Sequence, residues 1–150
     1  MLMDKIAVKL KEAMLARDEF LTTTLRGLKS AILNEEIAQG KRDTGLSDNE
    51  IENIIAREVK KRDDAIELYT NAGDKARAEK EIAECEILME FLPEPLSEED
   101  LKEVIERVIE ATGAKTAADI GRTIGAIKAE VGTRGDGAVI AKIVKEKLTQ

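Results

Sequence analysis

The chain has 150 residues, 43% of them apolar, 37% charged and only 2% aromatic, so Leu, Ile, Val and Ala must fill its core, and the balance favours helix. It contains no histidine and a single cysteine, Cys85, which excludes Ser-His-Asp and Cys-His catalysis, histidine metal sites, internal disulfides and CxxC metal sites. The formal net charge of −7 argues against indiscriminate nucleic-acid binding.

Apolar residues recur at helical spacing along almost the whole sequence, and no alternating run reads as a strand. Ile6, Leu10 and Met14 form a first stripe that ends near Arg17. Asp18 is placed to cap a second helix carrying Leu21, Leu25, Leu28 and Ile32, which the polar stretch Gly40 to Gly45 interrupts. Ser47 with Glu50 forms a capping box, with Leu46 and Ile51 as its hydrophobic staple. The third helix then runs through Ile55, Val59, Arg62 and Ile66 toward Tyr69, and Asn71-Ala72-Gly73-Asp74 reads as a stop followed by a new cap. A fourth helix presents Ala78, Ile82, Cys85 and Met89 on one face.

Pro93 and Pro95 cannot lie inside a helix, and Glu94 before Pro95 is pushed toward extended geometry. The same punctuation then returns, with Ser97 and Asp100 as capping box and Leu96 and Leu101 as staple. The fifth helix carries Leu101, Val104, Ile105, Val108 and Ile109 and stops at Gly113. Thr116 with Asp119 opens a sixth, with Ala117, Ile120, Ile124, Ile127 and Val131 facing inward. After the loop Gly132-Thr133-Arg134-Gly135-Asp136-Gly137, a seventh carries Ile140, Ile143, Val144 and Leu148. The expected fold is all-α: an N-terminal four-helix bundle over 1–92, a Pro-containing linker over 93–96, and a C-terminal three-helix bundle over 97–150.

The start of the chain lacks the long apolar stretch of a secretory signal, and apolar runs elsewhere fall far short of a membrane span. With one cysteine this suits a reducing cytosol, so a cytoplasmic protein with no membrane contact, no metal and no cofactor is expected.

Charge is uneven. Residues 111–150 hold seven bases against four acids, a local net of +3, so a polyanion is expected near the C-terminus if anywhere. The loop at 132–137 has three glycines, which permit unusual backbone angles and close approach. Asp136 can cap the following helix, whose N-terminal amides form an anion site near Arg134, although a tight turn accounts for the same pattern. Gly121 and Gly125 should each cost their helix about 1 kcal/mol relative to alanine. Close packing of a neighbouring helix is the expected compensation, with approach of an RNA backbone beside Arg122 as the sharper alternative. Arg62 falls on an apolar stripe and should find a carboxylate partner such as Glu58 or Glu35. Cys85 reads as a small core residue. Phe20, Tyr69 and Phe91 are scattered and form no stacking platform, so any RNA contact should go to phosphates and shape.

Several stretches, in order and at their spacings, resemble the YqeY family of small bacterial proteins over nearly the whole chain. They are Leu25-Arg26-Gly27-Leu28-Lys29-Ser30-Ala31 with Asn34-Glu35-Glu36-Ile37, then Arg57-Glu58-Val59-Lys60-Lys61-Arg62, then Leu92-Pro93-Glu94-Pro95-Leu96-Ser97. Gly121-Arg122-Thr123-Ile124-Gly125 and Arg134-Gly135-Asp136-Gly137 complete the set. The family's last loop usually reads Lys-Gly-Arg-Ala-Asp-Gly, so Arg134, Asp136 and Gly137 match while Gly132 stands where the lysine would be. The resemblance implies a four-helix bundle followed by a three-helix bundle. It also implies kinship with the tail of the B subunit of tRNA-dependent amidotransferases, which helps hold the tRNA during glutamine-dependent amide transfer.

The leading expectation is therefore non-catalytic tRNA binding through Arg122, Lys128, Arg134 and Lys142, with Gly135, Asp136 and Gly137 shaping the loop. The partners expected are tRNA and an amidotransferase or another protein. An adaptor that docks a protein partner with no RNA role is the alternative. No catalytic residue is assigned, since neither a glutaminase nucleophile arrangement nor a phosphate-activating loop is present.

Overall fold

In a computed structural model, which describes residues 1–149, the chain is all-α. The helices are α1 (Leu2–Leu15), α2 (Glu19–Ala38), α3 (Asp48–Asn71), α4 (Lys75–Met89), α5 (Glu98–Thr112), α6 (Ile120–Val131) and α7 (Gly137–Leu148). Short 3-10 turns at Ala117–Asp119 and Gly132–Arg134 flank α6. Gln150, the last residue of the expected C-terminal bundle, lies outside the described residues.

Two compact units divide the chain, Met1–Leu92 and Pro93–Gln150, each with its own core. Helices start where side chains satisfy orphan amides. Asp18 accepts from the Leu21 amide at 3.0 Å, and Asp74 from Arg77 at 3.2 Å. Ser47 and Glu50 exchange both bonds of a capping box, Glu50 N to Ser47 Oγ at 3.2 Å and Ser47 N to Glu50 Oε2 at 2.8 Å. Ser97 accepts from the Asp100 amide at 3.1 Å. Gly113 closes α5 in the left-handed conformation, φ 68°.

In the first unit α1 packs on α2, and α3 pairs along its length with α4. The Leu2 amide donates to Asp48 Oδ1 at 2.9 Å, tying the start of α1 to the start of α3. Ile6, Leu28, Ile32, Ile51, Ile55 and Leu88 are buried at the centre. Two expected faces are covered only in part: Ile6 and Leu10, and Ala78 and Cys85, are buried as expected. Met14 is half exposed, its place in the core taken by Ala13, and on α4 the buried residues are Ala78, Cys85 and Leu88, leaving Ile82 and Met89 outside. Met14 and Met89 each stand next to a buried residue, Ala13 and Leu88, and the neighbouring helices select which arc is covered.

Arg62 is held by two half-buried carboxylates, Glu58 at 3.1 Å and Glu84 of α4 at 3.0 Å. Glu58 is thus the expected partner, whereas Glu35 lies beside Arg57 instead, at 3.9 Å.

In the second unit Leu101, Ile105, Val108, Ile127, Val131, Ile140 and Val144 form the core. Residues 93–96 fall inside this unit. The Leu96 amide donates to the Arg134 carbonyl at 2.9 Å, and Arg134 Nε donates to the Glu94 carbonyl at 3.1 Å. The segment expected as a linker is thus a strap pinned to the loop before α7. Thr123 is fully buried, its hydroxyl donating to the Asp119 carbonyl at 2.8 Å, while Ala117 is exposed.

Candidate functional site

The approach to α6 is built on Asp119. Its Oδ2 accepts from the Lys115 and Thr116 amides at 2.9 and 3.2 Å, and its Oδ1 from Arg122 at 3.2 Å. The two backbone amides, with help from Arg122, hold the Asp119 carboxyl below the usual carboxylate range. Arg122 itself remains 61% exposed, so its guanidinium is steered without being consumed.

Gly121 and Gly125 share the outward face of α6, and a Cβ at either would meet no atom within 4 Å. The expected packing of a neighbouring helix is therefore absent among the described residues. Neither glycine has a positive φ, so backbone conformation does not demand them. What remains is a strip of bare backbone that continues past exposed Ala129. Arg122 and Lys128 border this strip on opposite sides, about 9 Å apart along the helix axis.

Lys128 lies across the start of α7. A Cβ at Gly137 would stand 3.3 Å from both Lys128 Cε and Nζ. Gly137 thus makes room for a lysine stem at the positive end of a helix dipole. Asp136 caps the same end, accepting from the Ala138 amide at 2.7 Å and from Val139 at 3.4 Å. Two of the amides that sequence reasoning offered to a phosphate are therefore already engaged.

The loop glycines divide their roles. Gly132 takes a left-handed angle, φ 56°, whereas Gly135 is extended. A Cβ at Gly135 would approach Val131 Cγ2 to 2.9 Å and both Ile140 Cδ1 and Leu101 Cδ1 to 3.2 Å. Gly135 exists for space.

Of the four candidate cations, Arg122 and Lys128 flank the glycine strip, and Lys142 is exposed on α7. No carboxylate lies within ion-pair distance of Lys128 or Lys142 among the described residues. Arg134 differs, since its bond to Glu94 makes it part of the strap. Sequence reasoning missed that strap, because its acceptor is a backbone carbonyl 40 positions away. No group of three or more Cys, Asp or Glu residues is arranged to hold a metal ion among the described residues, nor is any described helix long and apolar enough to cross a membrane.

A family profile described as "Yqey-like protein" matches residues 3–148. Curated relatives include two proteins named "Altered inheritance of mitochondria protein 41, mitochondrial". The one from Lachancea thermotolerans is 37% identical over 84 residues, covering 55% of this chain and 43% of the relative. The one from Clavispora lusitaniae is 29% identical over 118 residues, covering 77% of this chain and 67% of the relative. The chain thus spans less than half the length of the first of these relatives, and both relatives are named as mitochondrial proteins.

Proposed function

The chain belongs to the YqeY-like family, and on that premise we propose that its second unit binds tRNA through the outward face of α6, as a non-catalytic helper of glutamine-dependent aminoacyl-tRNA amidotransfer. The observation that carries this reading is the open strip at Gly121 and Gly125. Two exposed helical glycines destabilise α6 and gain no packing in return, which is understandable if another backbone lies against them.

Phosphate oxygens then reach Arg122, whose planar fork suits them, and Lys128 as a point charge on the same helix, with exposed Lys142 of α7 as a third cation. Recognition of shape and phosphate requires no aromatic platform, and the unit has none: the three aromatic residues are Phe20, Tyr69 and Phe91. Arg134 serves this reading by holding the strap through its bond to the Glu94 carbonyl.

Fluorescence anisotropy of labelled tRNA tests the proposal. Binding should weaken with salt at a log–log slope of about −2 to −3 if roughly three phosphates are neutralised. It should be lost in an Arg122→Ala/Lys128→Ala/Lys142→Ala variant whose far-ultraviolet circular dichroism is unchanged. Binding that ignores salt, or survives the triple substitution, removes the RNA reading.

The adaptor reading has one observation of its own. Val8 and Leu15, one heptad apart on α1, are 57% and 77% exposed. Partners that co-purify after nuclease treatment, and are lost in a Val8→Ser/Leu15→Ser variant, would favour it.

A further inference from the structure

A groove of about 480 Å³ lies between α2 and α3, within the first unit and independent of the RNA reading. Its walls carry both signs of charge, Glu35 and Glu58 against Arg57 and Lys61, with the Asn34 amide beside them and Ile54 as an apolar element of the floor. The four charges are not equally committed. Glu58 accepts from Lys61 at 3.2 Å and from Arg62 at 3.1 Å. Glu35 engages only one oxygen firmly, Oε1, with the Gln39 amide at 2.7 Å. Its Oε2 faces an Arg57 nitrogen at 3.9 Å, beyond hydrogen-bond reach. Arg57 is 62% exposed and donates no hydrogen bond among the described residues.

A carboxylate on one helix and a guanidinium on the next therefore face each other with bonding capacity unspent. A simple anion would meet Glu35 and Glu58, and a simple cation would meet Arg57 and Lys61, each at a repulsive cost. A zwitterion whose two charges are separated by one carbon satisfies both sides. We propose that this groove binds the backbone of a free α-amino acid, its ammonium on Glu35 Oε2 and its carboxylate on the Arg57 fork with Lys61 behind. Charge-assisted bonds of this kind are stronger than neutral ones, and the bidentate guanidinium fork fixes orientation. The side chain of the ligand lies over Ile54.

The test is amide-resolved NMR titration of the full chain with L-alanine, L-leucine and L-glutamine. For L-leucine, isocaproate and isoamylamine serve as controls that each keep one charge. Saturable shifts at Asn34, Ile54 and Lys61 are expected, with dissociation constants of roughly millimolar order. At least tenfold weaker binding is expected for both single-charge controls, and for Glu35→Gln and Arg57→Gln variants whose remaining amide spectra are unchanged. The absence of saturable shifts with all three amino acids overturns the proposal. So does equal binding of a single-charge control, or binding unaffected by either substitution.

Discussion

At Gly135 and Gly121 the same residue type answers to different physics. An alanine at 135 would press its Cβ into Val131, Ile140 and Leu101, all buried. Gly135→Ala should destabilise the second unit by about 1–3 kcal/mol, read from the urea midpoint. Gly121→Ala and Gly125→Ala meet only open space, so each should stabilise by up to about 1 kcal/mol while weakening tRNA binding. Stabilisation without loss of binding would mean that RNA does not approach this face. Cys85 is buried, and desolvation, reinforced by the Asp63 charge, pushes its thiol up to about 11. At mildly alkaline pH it should react with a disulfide reagent about two orders of magnitude more slowly than a free thiol. Its inertness was legible from its apolar neighbours. The packing role of Gly135 was not, because sequence shows no distance to Ile140 or Leu101.

Among the elements, helix starts were the most legible feature. Asp18, Ser47, Asp74, Ser97 and Asp136 all cap, since a cap is a bond between residues two to four apart, although Asp100 does not return the bond that would complete the box expected with Ser97. Buried faces were less so. The first stripe is covered at Ile6 and Leu10 but not at Met14, and the α4 stripe at Ala78 and Cys85 but not at Ile82 and Met89, because the neighbouring helices cover an arc centred beside each expected one. Contacts between helices were legible only by type. Arg62 required a carboxylate, yet nothing local named Glu84, 22 residues away on α4. Removing the arginine would leave Glu58 and Glu84 facing each other half buried. Arg62→Ala should therefore cost about 1–3 kcal/mol and Glu84→Gln about 1 kcal/mol, measured by urea unfolding. Equal and negligible losses would reduce the triad to a solvated surface pair.

Across the whole molecule, charge is organised by element more than by average. The net of −7 conceals α5, with six acids against two bases, in the same unit as the basic stretch over 111–150. That gradient was visible in the sequence. Which acids do structural work was not, because it depends on hydrogen bonds. For Glu58, burial raises the pKa, but bonds from Lys61 and Arg62 outweigh it and leave the group lowered. Glu50 is lowered chiefly by Lys41 and then by the Ser47 amide, Glu106 by Lys147, and Asp119 by the Lys115 and Thr116 amides. Each is a carboxylate whose folded pKa lies below its unfolded value of 4.5 for glutamate or 3.8 for aspartate. The stability it contributes is fully present above the unfolded pKa and is lost as pH falls through the folded one. Far-ultraviolet circular dichroism in urea should therefore show little loss of stability from neutral pH to about 4.5, and a progressive loss below it. Glu58→Gln should flatten that acid limb for the first unit, and Asp119→Asn for the second. A decline that begins well above 4.5, or is unchanged in both variants, would mean that Glu58 and Asp119 do not control acid stability.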